Sequence, residues 1–377
     1  MCNQRYCYLV NKKVNAFEFV VYLWTDKIYN VLYIRLHMQI LIAEEFMTLK
    51  KSLPVVDVRS PGEFAEGHIS GAINIPIFED DERAIVGTIY KKRGRLPAIE
   101  KGLGIVGPKM AQFARKAVEI ASSGQLLVHC WRGGMRSESM AWLFERVGIE
   151  CFILQGGYKS YRNYMLERIG DIPYLVVIEG HTGSGKTEIL HKLKAFGEQI
   201  IDLEGLANHK GSAFGGIGQS PQPTTQQFQN DLFDGFFEFD LAKKVWIEGE
   251  SQTVGRVFLP DPLWNRMNES KCIEIQVPRS ERINRLVSEY STLPEELMEN
   301  AILNLVKRLG SQLMNEILLK YREKDFVCVA EKLLEYYDQS YQYSRDKFKR
   351  KLTEIVLPNG DSETNAALIF EKAANLF

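Results

Sequence analysis

Residues 174–187 read YLVVIEGHTGSGKT, an apolar run that breaks into Gly180-His181-Thr182-Gly183-Ser184-Gly185-Lys186-Thr187. The octapeptide satisfies GxxxxGK[ST] in full. Its surroundings supply the context the motif needs, with β-rich Tyr174 to Ile178 before it and helical Glu188 to Ala195 after it. The glycines let backbone N–H groups close around phosphate oxygens at the positive end of the following helix. Lys186 is expected at the terminal phosphate, and Thr187 at Mg²⁺ if a metal is used. A strand–loop–helix start of this kind sets an α/β fold for the second half of the chain.

Downstream of the loop, strands are expected near Gln199 to Leu203, Val245 to Glu248 and Cys272 to Val277. Helices are expected over Glu295 to Arg308, Ser311 to Lys320 and Phe326 to Tyr343. Glu248 reads equally as the acidic strand end of a nucleotide site and as an ordinary strand end. Asp202 sits where many small-molecule kinases place a substrate-facing acid. The loop binds a phosphorylated group; NTP hydrolysis does not follow from it.

Upstream, short apolar strands alternate with helical stretches. Val55 to Val58 is a strand, and Ser60-Pro61-Gly62-Glu63 opens a helix with Pro61 in its first turn and a capping box between Ser60 and Glu63. Ile73 to Ile77 is a strand. Residues 79–108, with Gly94, Gly102, Gly104 and Gly107, read as an excursion from the fold. Met110 to Ser122 and Ser137 to Val147 are helices. Leu126 to His129 and Cys151 to Leu154 are strands, the second closed by Gly156-Gly157. Polar Arg162 to Asp171 then leads to the new start at Tyr174, which puts a boundary near 165–173.

The sharpest feature of this half is LLVHCWRGGMRSES, residues 126–139. A strand delivers Cys130 to a loop with Arg132, Gly133, Gly134, Arg136 and Ser137, and a helix follows. Backbone N–H groups, the helix's positive end and two arginines all favour a thiolate there. Cys130 and Arg136 have five residues between them, a spacing that can hold a tetrahedral oxyanion. The loop suits a sulfur that attacks, or carries, a group bound to such an oxyanion. Cys151, Cys272 and Cys328 read as core. Asp57 and Arg59 are expected to pair as scaffold beside the loop, and His68 to hydrogen-bond locally.

The composition sets limits on all this. The chain has 377 residues with 45% hydrophobic and 25% charged, ordinary globular usage that suits two domains and excludes disordered and collagenous classes. Forty-seven basic against 48 acidic residues leave a net charge of −1, so a nucleic-acid partner has to be met by local patches. Six cysteines, at 2, 7, 130, 151, 272 and 328, include no CxxC pair, which points to free thiols in a reducing compartment and to no zinc site. No uncharged run approaches the ~20 residues a spanning helix needs, and no signal peptide is expected. Residues 1–37 are aromatic-rich and unlike the rest. They are read as an extra N-terminal segment or a start-site artefact, with translation beginning at Met38.

Four segments could serve a large anion: Lys91-Lys92-Arg93-Gly94-Arg95; His209-Lys210-Gly211-Ser212 to Gly218; Arg279, Arg282 and Arg285 on one helical face; and Tyr336, Tyr337, Tyr341 and Tyr343 leading into Arg345, Lys347, Lys349, Arg350 and Lys351. Each also reads as a solvated face or as helix packing.

Asp57-Val58-Arg59, Glu63-Phe64 and Gly67-His68-Ile69-Ser70-Gly71-Ala72-Ile73-Asn74-Ile75-Pro76 resemble the rhodanese family, which carries a persulfide on a loop cysteine in the place held here by Cys130. The loop spacing is also similar to that of protein tyrosine phosphatases. The order of a rhodanese-like domain with Cys130-Trp-Arg-Gly-Gly-Met-Arg-Ser, then Gln155-Gly-Gly-Tyr158, then the phosphate loop, resembles the tRNA 2-selenouridine synthase family from about Met38 to the C-terminus. His209-Lys-Gly-Ser-Ala-Phe-Gly, Trp246-Ile-Glu-Gly-Glu-Ser and Val277-Pro-Arg-Ser-Glu-Arg are further points of likeness.

That resemblance implies an α/β protein: an N-terminal rhodanese-like parallel-sheet domain (38–168), then a P-loop NTPase-like α/β domain with a helical C-terminal part (169–377). It implies a cytoplasmic transferase that converts wobble 2-thiouridine in tRNA to 2-selenouridine. Selenophosphate, from a selenophosphate-producing enzyme, is the donor, and an S-geranyl-2-thiouridine intermediate is made from geranyl diphosphate. Cys130 would hold selenium as an S-selanyl group, with Arg132, Gly133, Gly134, Arg136 and Ser137 forming the oxyanion loop. Gly180, Gly183, Ser184, Gly185, Lys186 and Thr187 would hold the diphosphate. No tightly bound cofactor and no membrane partner is implied. The rival reading is a Cys-dependent sulfurtransferase or phosphatase fused to a P-loop kinase.

Overall fold

A computed structural model describes residues 10–13, 16–23, 30–34, 39–348 and 352–373. Met38, Cys2, Cys7 and Lys349 to Lys351 lie outside them, and the side chains of Tyr343, Arg345 and Lys347 are likewise not described. The chain divides into two compact units: residues 1–65 with 71–161, and residues 66–70 with 162–377.

The first unit begins with β1 (Val10–Lys13), β2 (Ala16–Leu23) and β3 (Asn30–Ile34), a separate antiparallel sheet in the order β1-β2-β3. There follow β4 (Gln39–Leu41), α1 (Ala43–Lys50), β5 (Val55–Asp57), α2 (Pro61–Glu66), β6 (Ile73–Asn74), α3 (Asp80–Arg93), α4 (Arg95–Val106), α5 (Met110–Ile120), β7 (Gln125–His129), α6 (Met135–Arg146), β8 (Glu150–Leu154) and α7 (Gly157–Arg168). Strands β4 to β8 form one parallel sheet in the order β4-β8-β7-β5-β6. Such a sheet is covered on both faces, so its strands read as continuous apolar runs. Leu126, Leu127 and Val128 of β7 are fully buried. Val56, Val128, Phe144 and Ile153 share one core. The chain runs outward from β5 to β6, then returns to β7 and continues to β8 on the other side. The end of β7 is therefore a topological switch point, where loops diverge and a crevice opens. Cys130 is the next residue.

The second unit contains β9 (Leu175–Gly180), α8 (Lys186–Ala195), β10 (Gln199–Ile201), α9 (Leu203–Ala207), α10 (Thr225–Phe237), β11 (Val245–Glu248), β12 (Thr253–Val254), β13 (Val257–Phe258), α11 (Asp261–Glu269), β14 (Lys271–Gln276), α12 (Arg279–Tyr290), α13 (Glu295–Asn304), α14 (Val306–Leu309), α15 (Ser311–Arg322), α16 (Phe326–Phe348), β15 (Leu352–Val356) and α17 (Ser362–Ala373). Its sheet is parallel, in the order β10-β11-β9-β14-β15. Strand β9 is central, and the phosphate loop leaves it where strand order reverses. Val176, Ile178, Trp246 and Ile273 make the sheet core. Met298, Ile302, Ile317 and Leu333 make a second core inside the helices.

Several expectations need correction. Residues 79–108 are not an excursion: α3 and α4 form a helical hairpin broken at Gly94, whose φ of 88° ends one helix and starts the next. The polar stretch from Arg162 is the second half of α7. Helix α10 and strand β15 were not read from the sequence, because β15 sits at a sheet edge where only Ile355 is buried. The Ile73 to Ile77 strand is only two residues long. Among the described residues, no helix is long and apolar enough to cross a membrane.

Candidate functional site

In the first unit, Cys130 is 3% exposed. Its Sγ lies 3.3 Å from Ser137 Oγ, which is itself 3.0 Å from the Gly134 carbonyl. Burial pushes the thiol up. The Ser137 hydroxyl, the Gly134 N–H, the Arg136 charge and the Arg132 N–H outweigh it, so the net shift is downward. Cys151, with burial and the Glu145 and Glu150 charges acting together, is pushed up to about 12 and is inert. Cys272 is buried, while Cys328 is only half-buried, which corrects its reading as core.

The loop is held from three sides. Arg136 does not float: its Nη1 donates to Glu63 Oε2 at 2.7 Å, the same oxygen that accepts the Ser60 N–H at 3.2 Å in the capping box of α2. Beneath the loop, the guanidinium of Arg59 donates to both carboxylate oxygens of Asp57 at 2.6 to 3.0 Å, and both side chains are fully buried. His129 Nε2 is 3.7 Å from the same carboxylate. Burial would raise the Asp57 carboxyl, but His129 and Arg59 bring it below its ordinary value. Arg59 also lies 3.9 Å from the centroid of Tyr158. Behind the loop, Tyr158 N–H donates to Cys130 O at 2.8 Å and Lys159 N–H to Trp131 O at 3.0 Å. A side chain at Gly133 (φ 58°) would meet Leu154 O, and one at Gly157 (φ 61°) would meet Cys130 O. The Gln155-Gly-Gly-Tyr158 segment is therefore the backing of the cysteine loop. Arg132 is exposed and its side chain faces solvent.

In the second unit, Lys186 Nζ donates to Gly180 O at 3.1 Å. Thr187 Oγ1 lies 2.8 Å from Glu204 Oε2 and 3.0 Å from Glu248 Oε2. A hydroxyl carries one proton, so Thr187 donates to one of the two carboxylates at a time. Glu248 is fully buried, and burial followed by the Glu204 and Glu250 charges pushes its carboxyl well up, while its Oε1 accepts the Glu204 N–H at 2.7 Å. Of its two readings, the acidic neighbour of the phosphate loop is the one its position supports. Burial likewise raises Glu204 and takes Glu250 to about 7.

Asp202 caps α9 through the Gly205 N–H at 2.7 Å and meets His191 Nε2 at 2.8 Å. A cavity of about 1680 Å³ opens here, with Lys186, Thr187, Glu204, Glu250, Arg285 and Tyr341 on its wall. Thr187 with Glu248 or Glu204 offers the oxygen donors Mg²⁺ prefers. Among the described residues, no three acidic, His or Cys groups converge as a metal cluster.

The basic and aromatic segments separate. Arg282 is 6% exposed, grips Asp338 and donates through Nε to Thr182 O at 2.9 Å. Arg285 donates to Gly183 O at 3.2 Å and to Glu188 at 2.9 Å. Arg279 reaches Glu335 at 3.5 Å. Arg282 and Arg285 thus brace the phosphate loop, while Arg279 stays exposed. Tyr341 Oη lies 3.2 Å from Glu179 Oε2 and 3.3 Å from Glu274 Oε1, and its ring packs on His181. Lys210 is paired with Glu289. His68 bonds through its backbone to the Gln227 and Asn230 side chains of α10. Glu204 and Asp338 were missed in the sequence, since no motif marks an acid that acts by reaching across the fold; Glu63 was read only as a capping residue, and Glu250 only as part of the Trp246 to Ser251 segment.

Two family models match the chain. One, a rhodanese-like domain, covers residues 43–164, and the other, the tRNA 2-selenouridine synthase AAA domain, covers residues 173–374. The chain is 34% identical over 356 residues to a tRNA 2-selenouridine synthase of Sulfurovum sp. (strain NBC37-1), covering 84% of this chain and 94% of the relative. It is 32% identical to the protein of that name in Hydrogenovibrio crunogenus, covering 80% of this chain and 92% of the relative. Among solved structures, a rhodanese-related protein of Thermoplasma volcanium matches 33% of this chain and 92% of its own, at 20% identity and a TM-score of 0.22.

Proposed function

Because the chain belongs to the tRNA 2-selenouridine synthase family, we propose that it converts wobble 2-thiouridine in tRNA to 2-selenouridine by two transfers, one at each loop. In the first, the thio sulfur attacks C1 of geranyl diphosphate, the C–O bond breaks and diphosphate leaves. Backbone N–H groups of Gly183, Ser184 and Gly185, the α8 N-terminus and Lys186 oppose the charge that develops on the leaving group. Thr187 with Glu248 would hold Mg²⁺, whose chemistry there is to neutralise diphosphate charge. In the second, the selenium of selenophosphate bonds to C2 of the base as the C2–S bond breaks and geranylthiol leaves. The Cys130 thiolate then takes the phosphoryl group as the P–Se bond breaks, freeing 2-selenouridine, and water releases phosphate from the sulfur. The Arg132 to Ser137 loop accepts the phosphate end of selenophosphate.

The observation that carries this reading is the joint presence, in one chain, of a thiol held toward its anion at Cys130 and a complete phosphate loop at Lys186. A selenophosphate-producing enzyme supplies the donor, and the cytoplasm, where tRNA is at hand, is the proposed setting. The test is nucleoside mass spectrometry of 2-thiouridine tRNA incubated with selenophosphate and geranyl diphosphate. Formation of 2-selenouridine that is lost in Cys130→Ala, with geranylation lost in Lys186→Ala, is expected. No change in the nucleoside, with phosphate-ester hydrolysis or thiocyanate formation instead, would favour a sulfurtransferase or phosphatase joined to a kinase.

A further inference from the structure

We propose that the corner between α3 and α4 is the surface on which the tRNA backbone docks beside the cysteine loop, with Lys91, Lys92, Arg93 and Arg95 as its cations. The inference rests on the tRNA reading above and names a face that reading leaves unassigned.

Charge along α3 is segregated. Asp80, Asp81 and Glu82 fill its first turn and Lys91, Lys92 and Arg93 its last. Complementing the helix dipole explains the sign at each end and is worth about 0.3–1 kcal/mol per charge. It does not explain Arg95, which lies beyond the break at Gly94 in the first turn of α4, where a cation opposes the dipole. Nor does it explain the absence of partners. Lys91, Lys92, Arg93 and Arg95 are all exposed, and among the described residues none forms an ion pair. Among the described residues of the same unit, Arg115, Lys116 and Arg132 are also exposed without an ion pair, but they are not grouped four within five residues; Lys109 with Glu82 at 2.6 Å and Arg136 with Glu63 at 2.7 Å are engaged. Four adjacent cations left in water repel one another, and a polyanion relieves that repulsion by releasing its counterions.

The corner is also in the right place. Arg95 Nη2 lies 3.7 Å from the Sδ of Met135, the residue that opens α6 directly after the Cys130 loop. At the start of α3, Arg83 lies 3.8 Å from Glu63, the carboxylate that holds Arg136. The hairpin thus touches the loop's surroundings at two points. Tyr90, 55% exposed, and Leu96, 66% exposed, stand in the same stretch and offer apolar faces to an unstacked base. A base that must reach a buried thiol brings its flanking phosphates to the rim, and this rim is positive.

The test uses full-length protein and 2-thiouridine tRNA, with Kd measured by fluorescence anisotropy across salt concentrations. In Lys91→Gln/Lys92→Gln/Arg93→Gln, the salt exponent should fall by about three, one per phosphate contact, and binding near 0.1 M salt should weaken by roughly tenfold or more. Single variants Lys91→Gln and Arg95→Gln should each lower the exponent by about one, and Lys91→Arg/Lys92→Arg should keep the wild-type value. Unchanged affinity and exponent in a triple variant that melts like the wild type would overturn the proposal; this is also the result expected if the corner meets an acidic protein. If wild-type protein itself fails to bind tRNA, both this inference and the tRNA reading fall, and that outcome is told apart because it appears before any substitution is made.

Discussion

His181, inside the phosphate loop, has its Nδ1 2.9 Å from Oδ1 of Asp338 on α16. The same carboxylate takes both terminal nitrogens of Arg282, whose Nε holds the Thr182 carbonyl. One acid on a C-terminal helix thereby fixes two consecutive residues of a loop more than 150 positions earlier. Burial opposes ionisation of Asp338, but His181 and Arg282 bring its carboxyl down to about 2. A depressed carboxyl stabilises the fold above the unfolded value near 4 and loses that contribution as pH falls toward 2. In Asp338→Asn, the melting temperature should drop at neutral pH, and the gap to wild type should close between about pH 4 and pH 2. Inorganic diphosphate, titrated calorimetrically, should bind roughly tenfold more weakly, as expected for one lost charged hydrogen bond.

Ser137 controls the nucleophile. It is the nearest side-chain partner of Cys130 and is fully buried. Removing its hydroxyl in Ser137→Ala leaves the desolvation that raises the thiol and takes away the leading group that lowers it. A hydrogen bond to a charged group is worth about 1.5–3 kcal/mol, so the midpoint of Cys130 alkylation against pH should rise by roughly one unit or more. An unmoved midpoint would mean the loop N–H groups and Arg136 suffice.

Glu250 makes the cavity of the second unit sensitive to pH from the opposite side. Burial, against the pull of Lys186, raises its carboxyl to about 7. A carboxyl raised in the folded state favours folding while protonated, and that contribution is lost as pH rises from the unfolded value through about 7. Glu250→Gln should therefore melt close to wild type at pH 5 and higher than wild type at pH 8. Equal melting at both values would place Glu250 in full contact with water.

The sequence revealed the two loops because each is local: a strand, glycines and a helix within some fifteen residues. Parallel sheets were expected from the same alternation, though not their strand order, and Asp57 with Arg59 were found as a pair because they lie two residues apart. What was hidden is carried by contacts of long sequence separation. Glu63 was legible as a capping residue of α2, yet its hold on Arg136 crosses 73 positions. Asp338 sits in a tyrosine-rich helix that suggested RNA, while Arg282 looked like surface charge. Helical spacing identifies a shared face but not which face is buried. Glycines also misled in residues 79–108: Gly94 ends a helix, whereas Gly102 is buried within one against Phe78.

Gly157 joins two of these levels. Its φ of 61° is disfavoured for residues with a side chain, and a Cβ there would run into the Cys130 carbonyl and the amides of Arg132 and Gly133. None of these neighbours is a flexible side chain that could swing away, so the backbone itself must move. Gly157→Ala should displace the Tyr158 N–H from Cys130 O, its partner at 2.8 Å, and loosen the turn that aims loop amides at the sulfur. The conformational penalty alone is about 1–2 kcal/mol, and the clash adds to it. The variant should lower the first melting transition and raise the midpoint of Cys130 alkylation against pH together, since both depend on one packing contact. Gly156→Ala is the informative comparison. Its Cβ would meet the Ser160 side chain and not the loop amides, so it should lower stability and leave the alkylation midpoint nearer to that of the wild type.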